Sequence, residues 1–296
     1  RGQRIPMCGV PHHAADGYLA DLVAKGYKVA ICEQLEDPRQ AKGIVKRDVV
    51  RVVTPGTALD DRILPDQNRY LAAVAGEGEI WGLAFCDLST GEFYCTEAAG
   101  ENAQETIISE LLRVHPSELL AIDLPADALQ RLNQSSIYQP DVESRLFHRA
   151  SGRRALLDHF GVLSLHGFGC ENLTQGMIAA GAVILYLDDT QKQHLSHISR
   201  LVPYSLSSHM ILDPAPRRNL ELTRTLREGE RRGSLLWVLD QTQTPMGARL
   251  LRQWLEQPLI SGDAISYRLD AIEDLVKSDL QRAELRELLK AVYDIP

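Results

Sequence analysis

No stretch of this chain is apolar over the roughly 20 residues that a bilayer-spanning helix needs. The first residues, Arg1-Gly2-Gln3-Arg4-Ile5-Pro6, hold no apolar signal-peptide core. Cysteine is scarce: 5 residues, an odd count without a Cys-x-x-Cys pair, which points to a reducing compartment and away from a zinc site. Cys86 and Cys95 sit where a hairpin can bring them face to face, but the rarity of cytosolic disulfides argues against a bond between them. There is no Gly-x4-Gly-Lys-[Ser/Thr] phosphate loop, no Gly-x-Gly-x-x-Gly after a strand and no Gly-x-Ser-x-Gly elbow. The 9 histidines make one close pair, His12-His13, with no second ligand pair spaced to complete a metal site. Membrane, secreted, fibrous and disordered classes are excluded on this footing, and a cytoplasmic protein is expected.

What is there is ordinary in bulk and uneven in distribution. The chain has 296 residues, 44% hydrophobic and 24% charged, enough for about two domains with real cores. It starts on Arg and stops just after a helical pattern, so a piece of a longer protein is expected. The net charge of −8 argues against a general nucleic-acid binder. Yet residues 1–57 carry 9 Lys and Arg against 6 Asp and Glu, whereas residues 58–205 carry 10 against 20 and residues 206–296 carry 13 against 14. The first segment is a basic island, and phosphate contacts need such local charge whatever the global sum. The plainer reading is a small segment with a few extra lysines.

Periodicity divides the chain into three parts. Residues 5–13 read as a loop, 14–25 as a helix stopped by Gly26, 27–33 and 48–54 as strands with a polar turn at 37–43, and 54–67 as a linker. Strands at 70–75, 80–87 and 92–97, with a hairpin turn at Leu88-Ser89-Thr90-Gly91, precede a helix at 103–114. A short strand at 119–122, helices at 126–133, 151–160 and 172–188, and a possible strand near Ile137-Tyr138 follow, giving an α/β sandwich or open sheet. Beyond Pro203 the pattern is helical, at 217–226, 235–240, 244–256, 267–278 and 280–293, after a short extended piece at 209–213. The best-defined helix has Thr244 as N-cap and Pro245 at its first position.

One group of carboxylates carries a chemical reading. Asp87 ends a strand, Glu105 and Glu110 lie on the next helix and Asp123 ends the following strand. Ribonuclease-H-like nucleases gather carboxylates from such elements to hold two divalent metals. Against this, Asp87 falls on the second strand rather than the first, and no basic cluster surrounds it. The plainer reading is a turn-forming aspartate and acids on a solvated helix.

Specific strings then resemble the MutS family of DNA mismatch repair proteins: Ile5-Pro-Met-Cys-Gly-Val-Pro-His-His13, Val29-Ala-Ile-Cys-Glu-Gln34, Val52-Val-Thr-Pro-Gly-Thr57, Asp87-Leu-Ser-Thr-Gly91, Gly167-Phe-Gly169, Asp213-Pro-Ala-Pro-Arg-Arg-Asn-Leu-Glu221 and, most specifically, Thr244-Pro-Met-Gly-Ala-Arg-Leu-Leu-Arg-Gln-Trp-Leu255. They keep family order and cover essentially the whole chain. The resemblance implies an α/β module at 1–57 from the later part of the mismatch-recognition domain, a ribonuclease-H-like α/β connector without nuclease activity at 58–203, and the first, all-α part of the helical core, or lever, domain at 204–296. It implies that the family's aromatic wedge and its nearby glutamate lie upstream of residue 1, and its clamp and ATPase domains beyond residue 296. His12 departs from the family, which often has Tyr or a larger hydrophobic residue there.

The function implied is binding of kinked, mismatched duplex DNA by a homodimer, coupled to nucleotide state and to recruitment of MutL. ATP and Mg are expected in the full-length family protein, with no cofactor, metal, catalytic residue or membrane contact on this chain. Met7 could press a sugar or base edge in the minor groove, and His13 matches a position close to DNA in the family. Lys42, Lys46, Arg47 and Arg51 could meet phosphates. On the helix read from a Ser151 cap to Phe160, Leu156, Leu157 and Phe160 form an apolar face, and Arg153 and Arg154 are the positive handle for an acidic partner. The plainer readings are packing for Met7, solvated surface for the basic residues, and neutralisation of neighbouring acids for Arg153 and Arg154. The rival functions are a metal-dependent nuclease using Asp87, Glu110 and Asp123, and a pure interaction module with an acidic partner surface.

Overall fold

The computed structural model describes residues 14–36, 45–57, 68–135, 137–192, 195–210, 212 and 214–293. Helix α1 (Ala15–Ala24) leads through Gly26, whose φ of +82° is a backbone state natural to glycine, into strand β1 (Val29–Gln34). β1 pairs antiparallel with β2 (Arg47–Val53), with Gln34 opposite Arg47 and Val29 opposite Val53. The register shifts between Ile31 and Cys32, whose partners are Arg51 and Val49, leaving Val50 as an extra residue on β2. The loop expected at 5–13 and the turn at 37–43 lie outside the described residues.

The central unit is a five-stranded sheet in the order β6-β3-β4-β5-β7. Strands β3 (Tyr70–Glu77), β4 (Ile80–Asp87) and β5 (Phe93–Ala99) form an antiparallel meander. After helix α2 (Ala103–Val114), β6 (Glu118–Ala121) joins β3 in parallel. Helices α3 (Ala126–Gln134), α4 (Arg149–Phe160) and α5 (Gln175–Gln191) follow, and β7 (Val202–Pro203) runs parallel to β5. Period-two alternation builds a core on each face. Leu71, Ala73, Ala84 and Cys86 pack with Leu156, Ala179 and Val183 of α4 and α5. Ala72, Val74, Leu83 and Phe85 pack with Ile107, Leu111, Ala128 and Leu132 of α2 and α3.

Two close approaches set the α4–α5 face. A Cβ on Gly82 would lie 2.1 Å from Gly176 N, so α5 rests on bare β4 backbone. A Cβ on Gly181 would lie 2.5 Å from Gly152 Cα, so α4 and α5 cross at paired glycines. α5 begins at Gln175, three residues later than periodicity indicates, because Glu97 of β5 captures its first amides: Gln175 N and Gly176 N donate to Oε2 at 2.6 and 3.1 Å.

Several expectations are corrected here. Ser151 does not cap α4: His148 holds the cap position and Ser151 lies one turn inside. Cys86 and Cys95 are not opposed, since Cys86 pairs with Phe93 and Cys95 with Ala84. The Cys95 thiol instead meets Cys170 at 3.8 Å, and both are buried. Near Ile137-Tyr138 the described residues form an isolated bridge, Glu118 to Tyr138, rather than a strand. The linker expected from Thr54 is anything but loose where it starts: Thr54 and Thr57 are wholly buried.

The last part is helical: α6 (Pro214–Asn219), α7 (Leu235–Leu239), α8 (Pro245–Glu256), α9 (Gly262–Lys277) and α10 (Asp279–Lys290). Thr244 caps α8 through Gly247 N at 3.1 Å, as its sequence indicates. α9 starts five residues before the expected position, capped by Ser261 through Ala264 N at 3.3 Å. α6 occupies 214–219 rather than 217–226. Prolines suit a first helical turn, where amides lack partners, and the chain leaves the helix at Glu221, with φ of +48°. The apolar residues Leu269, Ile272 and Leu288 remain more than half exposed. Among the described residues, no helix is long and apolar enough to cross a membrane.

Candidate functional site

Met7, His13 and Lys42, three of the expected DNA-facing residues, lie outside the described residues. Lys46 and Arg47 are exposed at the start of β2. Lys46 is held by its backbone, which donates to Glu36 Oε1 at 2.7 Å, and the residue is exposed. Arg51 is different. It is partly buried, and Nη2 donates to the carbonyl of Thr57 at 3.3 Å.

In a regular strand Arg47 and Arg51, four apart, would share a face. The bulge at Val50 separates them: Arg47 opposes Gln34 and Arg51 opposes Ile31, three apart on β1 and therefore on opposite faces. Nothing in residue spacing signals a bulge of this kind. The exposed positive charge of this strand pair is thus Lys46 and Arg47, and Arg51 braces the turn that follows.

That turn is tied to the sheet by Glu118, whose carboxylate accepts from Thr54 Oγ1, from Gly56 N at 2.9 Å and from Tyr186 Oη at 2.5 Å. Burial and the Glu118 charge push the Tyr186 phenol well up. Composition did not single out Glu118, because a lone glutamate at the head of a short strand reads as solvated surface.

The carboxylates of the nuclease reading are dispersed. Asp87 Oδ1 accepts from Ser89 N at 2.8 Å and Ser89 Oγ at 2.6 Å, and Oδ2 from Arg69 N at 2.9 Å, which is a turn-forming role. Glu105 forms an exposed ion pair with Arg131 at 2.7 Å. Glu110 is paired with Arg113. Asp87 sits opposite Tyr70 at the start of β3, whereas Asp123 follows Ala121, which pairs with Val74 further along that strand. The sheet therefore holds Asp87 and Asp123 at opposite ends, and two metals cannot bridge them. No group of three His, Cys, Asp or Glu among the described residues is placed to hold a metal ion.

A second polar junction joins the sheet unit to the helical part. Arg113 clasps Glu110, Tyr204 Oη donates to Glu110 Oε1 at 2.7 Å, and the Gln257 side-chain amide, just past α8, lies against both Glu110 and Arg113. Burial would raise the Glu110 pKa, but the hydrogen bonds and charge of Arg113, with Tyr204 and Arg217, hold it below the usual carboxylate range. His209 lines the same small cavity, and burial together with Arg113 and Arg268 lowers its pKa despite Glu110.

On α4, Leu156 is buried and Leu157 and Phe160 pack on the core, so the apolar face is used internally. Arg153 and Arg154 are exposed and pair loosely with Glu171 and Asp158, each at 3.7 Å. Arg154, Ala155 and Asp158, with Leu185 and Asp188 of α5, line a groove of about 440 Å³.

Comparison with known proteins finds three family segments in order along the chain. The family models for MutS domain I, MutS domain II and MutS domain III match residues 1–62, 69–199 and 215–296. Proteins called DNA mismatch repair protein MutS from Symbiobacterium thermophilum and Ruminiclostridium cellulolyticum are each 48% identical over 99% of this chain and 34% of their own length. One from Thermosynechococcus vestitus is 44% identical over 99% of this chain and 35% of its own. The chain spans about a third of the length of these relatives. With three consecutive family segments in order and nearly half of its residues shared with such relatives, the chain belongs to the MutS family of DNA mismatch repair proteins.

Proposed function

We propose that this chain is the part of a MutS-type mismatch sensor that links the DNA-facing domain to the lever, acting by conformational coupling and without catalysis of its own. The observation that carries the reading is the ordered match of MutS domains I, II and III along one chain. In this reading residues 1–57 face mismatched duplex within a homodimer, residues 58–203 are the connector and residues 204–296 begin the lever. ATP, Mg and nucleotide turnover belong to the remainder of a protein of the relatives' length. The β5-β4-β3-β6 order, a meander whose first strand takes a parallel neighbour, supports a ribonuclease-H-like label for the connector. The dispersed carboxylates weigh against nuclease chemistry.

Lys46 and Arg47 supply phosphate contacts, and Met7 and His13, outside the described residues, are the candidate contacts to a sugar or base edge. Lys42 and Arg51 complete the basic island, Arg51 as a brace as much as a contact. The exposed Arg153 and Arg154, beside the α4–α5 groove, are the candidate contact for MutL. The test is duplex binding by a protein of full family length carrying single substitutions. Lys46→Ala should weaken mismatched and matched duplexes alike and lower the salt dependence by about one ion. Met7→Ala and His13→Ala should weaken mismatched duplex selectively. Equal binding of mismatched and matched duplex by the unsubstituted protein would refute the reading.

A further inference from the structure

Glu118 is wholly buried at the head of β6, and its three donors come from residues 62 to 68 positions away in sequence. Two of them lie on the turn after β2. That turn is already closed on itself: Thr54 N donates to Thr57 Oγ1 at 2.9 Å, the two threonine hydroxyls meet at 2.8 Å, and Thr57 N donates to Thr54 O at 3.1 Å. Its fit to the sheet is steric as well. A Cβ on Gly56 would stand 2.7 Å from Glu118 Cβ and 3.3 Å from Leu71 Cα. The third donor, Tyr186, comes from α5, which also sends Gln191 Nε2 to Val52 O at 3.4 Å. β2, the sheet and α5 therefore meet at one carboxylate. A buried charged group is weak support for stability compared with an apolar filling. What this one does provide is geometry, since a backbone amide and two hydroxyls must all find the same two oxygens.

We infer that Glu118 is the positioning residue that locks the basic β1–β2 unit onto the connector sheet, so that Lys46 and Arg47 move with the connector as one body. The inference rests on the DNA-facing reading of that unit only for its consequence, not for the lock. Hydrogen exchange on the 296-residue chain tests the lock directly. Glu118→Gln and Thr54→Val should each speed exchange at the Thr54, Gly56 and Thr57 amides by about tenfold or more, while β3 and β4 amides keep their protection. Thr54→Ser, which retains the hydroxyl, should restore slow exchange. Should Glu118→Gln fail to fold, the near-isosteric Thr54→Val decides. Unchanged exchange at Gly56 in a folded variant overturns the lock.

The consequence is read in a protein of full family length. Thr54→Val should lower the preference for mismatched over matched duplex about tenfold with matched-duplex affinity retained, and Thr54→Ser should recover it. Faster exchange with an unchanged preference overturns the positioning role. Absence of any preference in the unsubstituted protein refutes the DNA reading instead, and the exchange result still decides the lock.

Discussion

Glu110 and Arg113, one helical turn apart on α2, are joined by two hydrogen bonds of 2.8 Å, Nε to Oε2 and Nη2 to Oε1, with 10% and 13% of their side chains exposed. A two-point pair in this setting has few other partners to turn to. Removing Arg113 alone leaves a buried carboxylate without its two-point partner, with the Tyr204 hydroxyl and the Arg217 charge still beside it. Arg113→Met should therefore cost about 3–5 kcal/mol, and the double variant Glu110→Gln, Arg113→Met should cost clearly less. Urea unfolding of the single and double variants measures both. Equal losses would mean that the pair is not the unit holding this junction.

The same junction makes stability depend on acid. Glu110 has its folded pKa below the ordinary 4.5, so its contribution is complete above 4.5 and is lost as pH falls through the lower folded value. His209 has its folded pKa below the ordinary 6.5, so the fold favours the neutral ring and loses stability once pH drops below 6.5. Both slopes have the same sign. His209→Asn should flatten the stability profile as pH falls below 6.5 and leave the loss below 4.5. NMR titration of the His209 ring should report a midpoint under 6.5.

Gly82 and Gly78 predict unequal costs for one substitution. A Cβ at Gly82 would overlap the α5 backbone, 2.1 Å from Gly176 N and 2.2 Å from Gln175 C. Gly82→Ala should cost at least about 3 kcal/mol, the upper range for overpacking, since backbone cannot rotate aside. Gly78 has φ of +58° and open space around it, so Gly78→Ala should cost only about 1 kcal/mol of strain. Comparison of thermal midpoints checks the ranking.

Charge reversal tests the α4 surface. Arg153→Glu with Arg154→Glu removes two loose exposed pairs, with Glu171 and Asp158, so the stability change should stay within about 1 kcal/mol. In a protein of full family length, mismatch binding should persist while association with MutL slows, most visibly at low salt. Unchanged association kinetics in a folded variant would remove α4 from the interface.

The 296 residues contain no phosphate loop, and the chain should neither bind nor hydrolyse ATP. Saturable binding at micromolar strength in calorimetry would contradict this.

Much of the architecture was legible because local chemistry dictates it. Alternation marked the β3–β5 meander, Thr244-Pro245 marked the start of α8, and Gly26 marked the end of α1. Family membership was legible for a related reason: strings such as Val52–Thr57 and Thr244–Leu255 are linear features. Misplaced helix starts came from caps that compete with periodicity. Ser261 is followed by Gly262, a poor helix former that masks the start of α9, and Ser151 is a better capping residue type than His148, which holds the position with no side-chain capping bond.

Long-range pairing lay beyond any window of sequence. A single extra residue at Val50 turned Arg51 from the face of Arg47 to the other, because strand faces alternate at every residue. Cys95 found Cys170, 75 residues away, instead of Cys86. The nuclease carboxylates looked neighbourly along the chain, but parallel pairing of β6 with β3 sends Asp87 and Asp123 to opposite ends of the sheet. Glu118, unremarkable as one acid among many, became the meeting point of three segments only when the fold buried it against Thr54, Gly56 and Tyr186. Residue types and spacing settle what forms within a turn or a strand. Which side chains share a buried site is settled by topology, because the cost of an unpaired polar group is incurred only once water is gone.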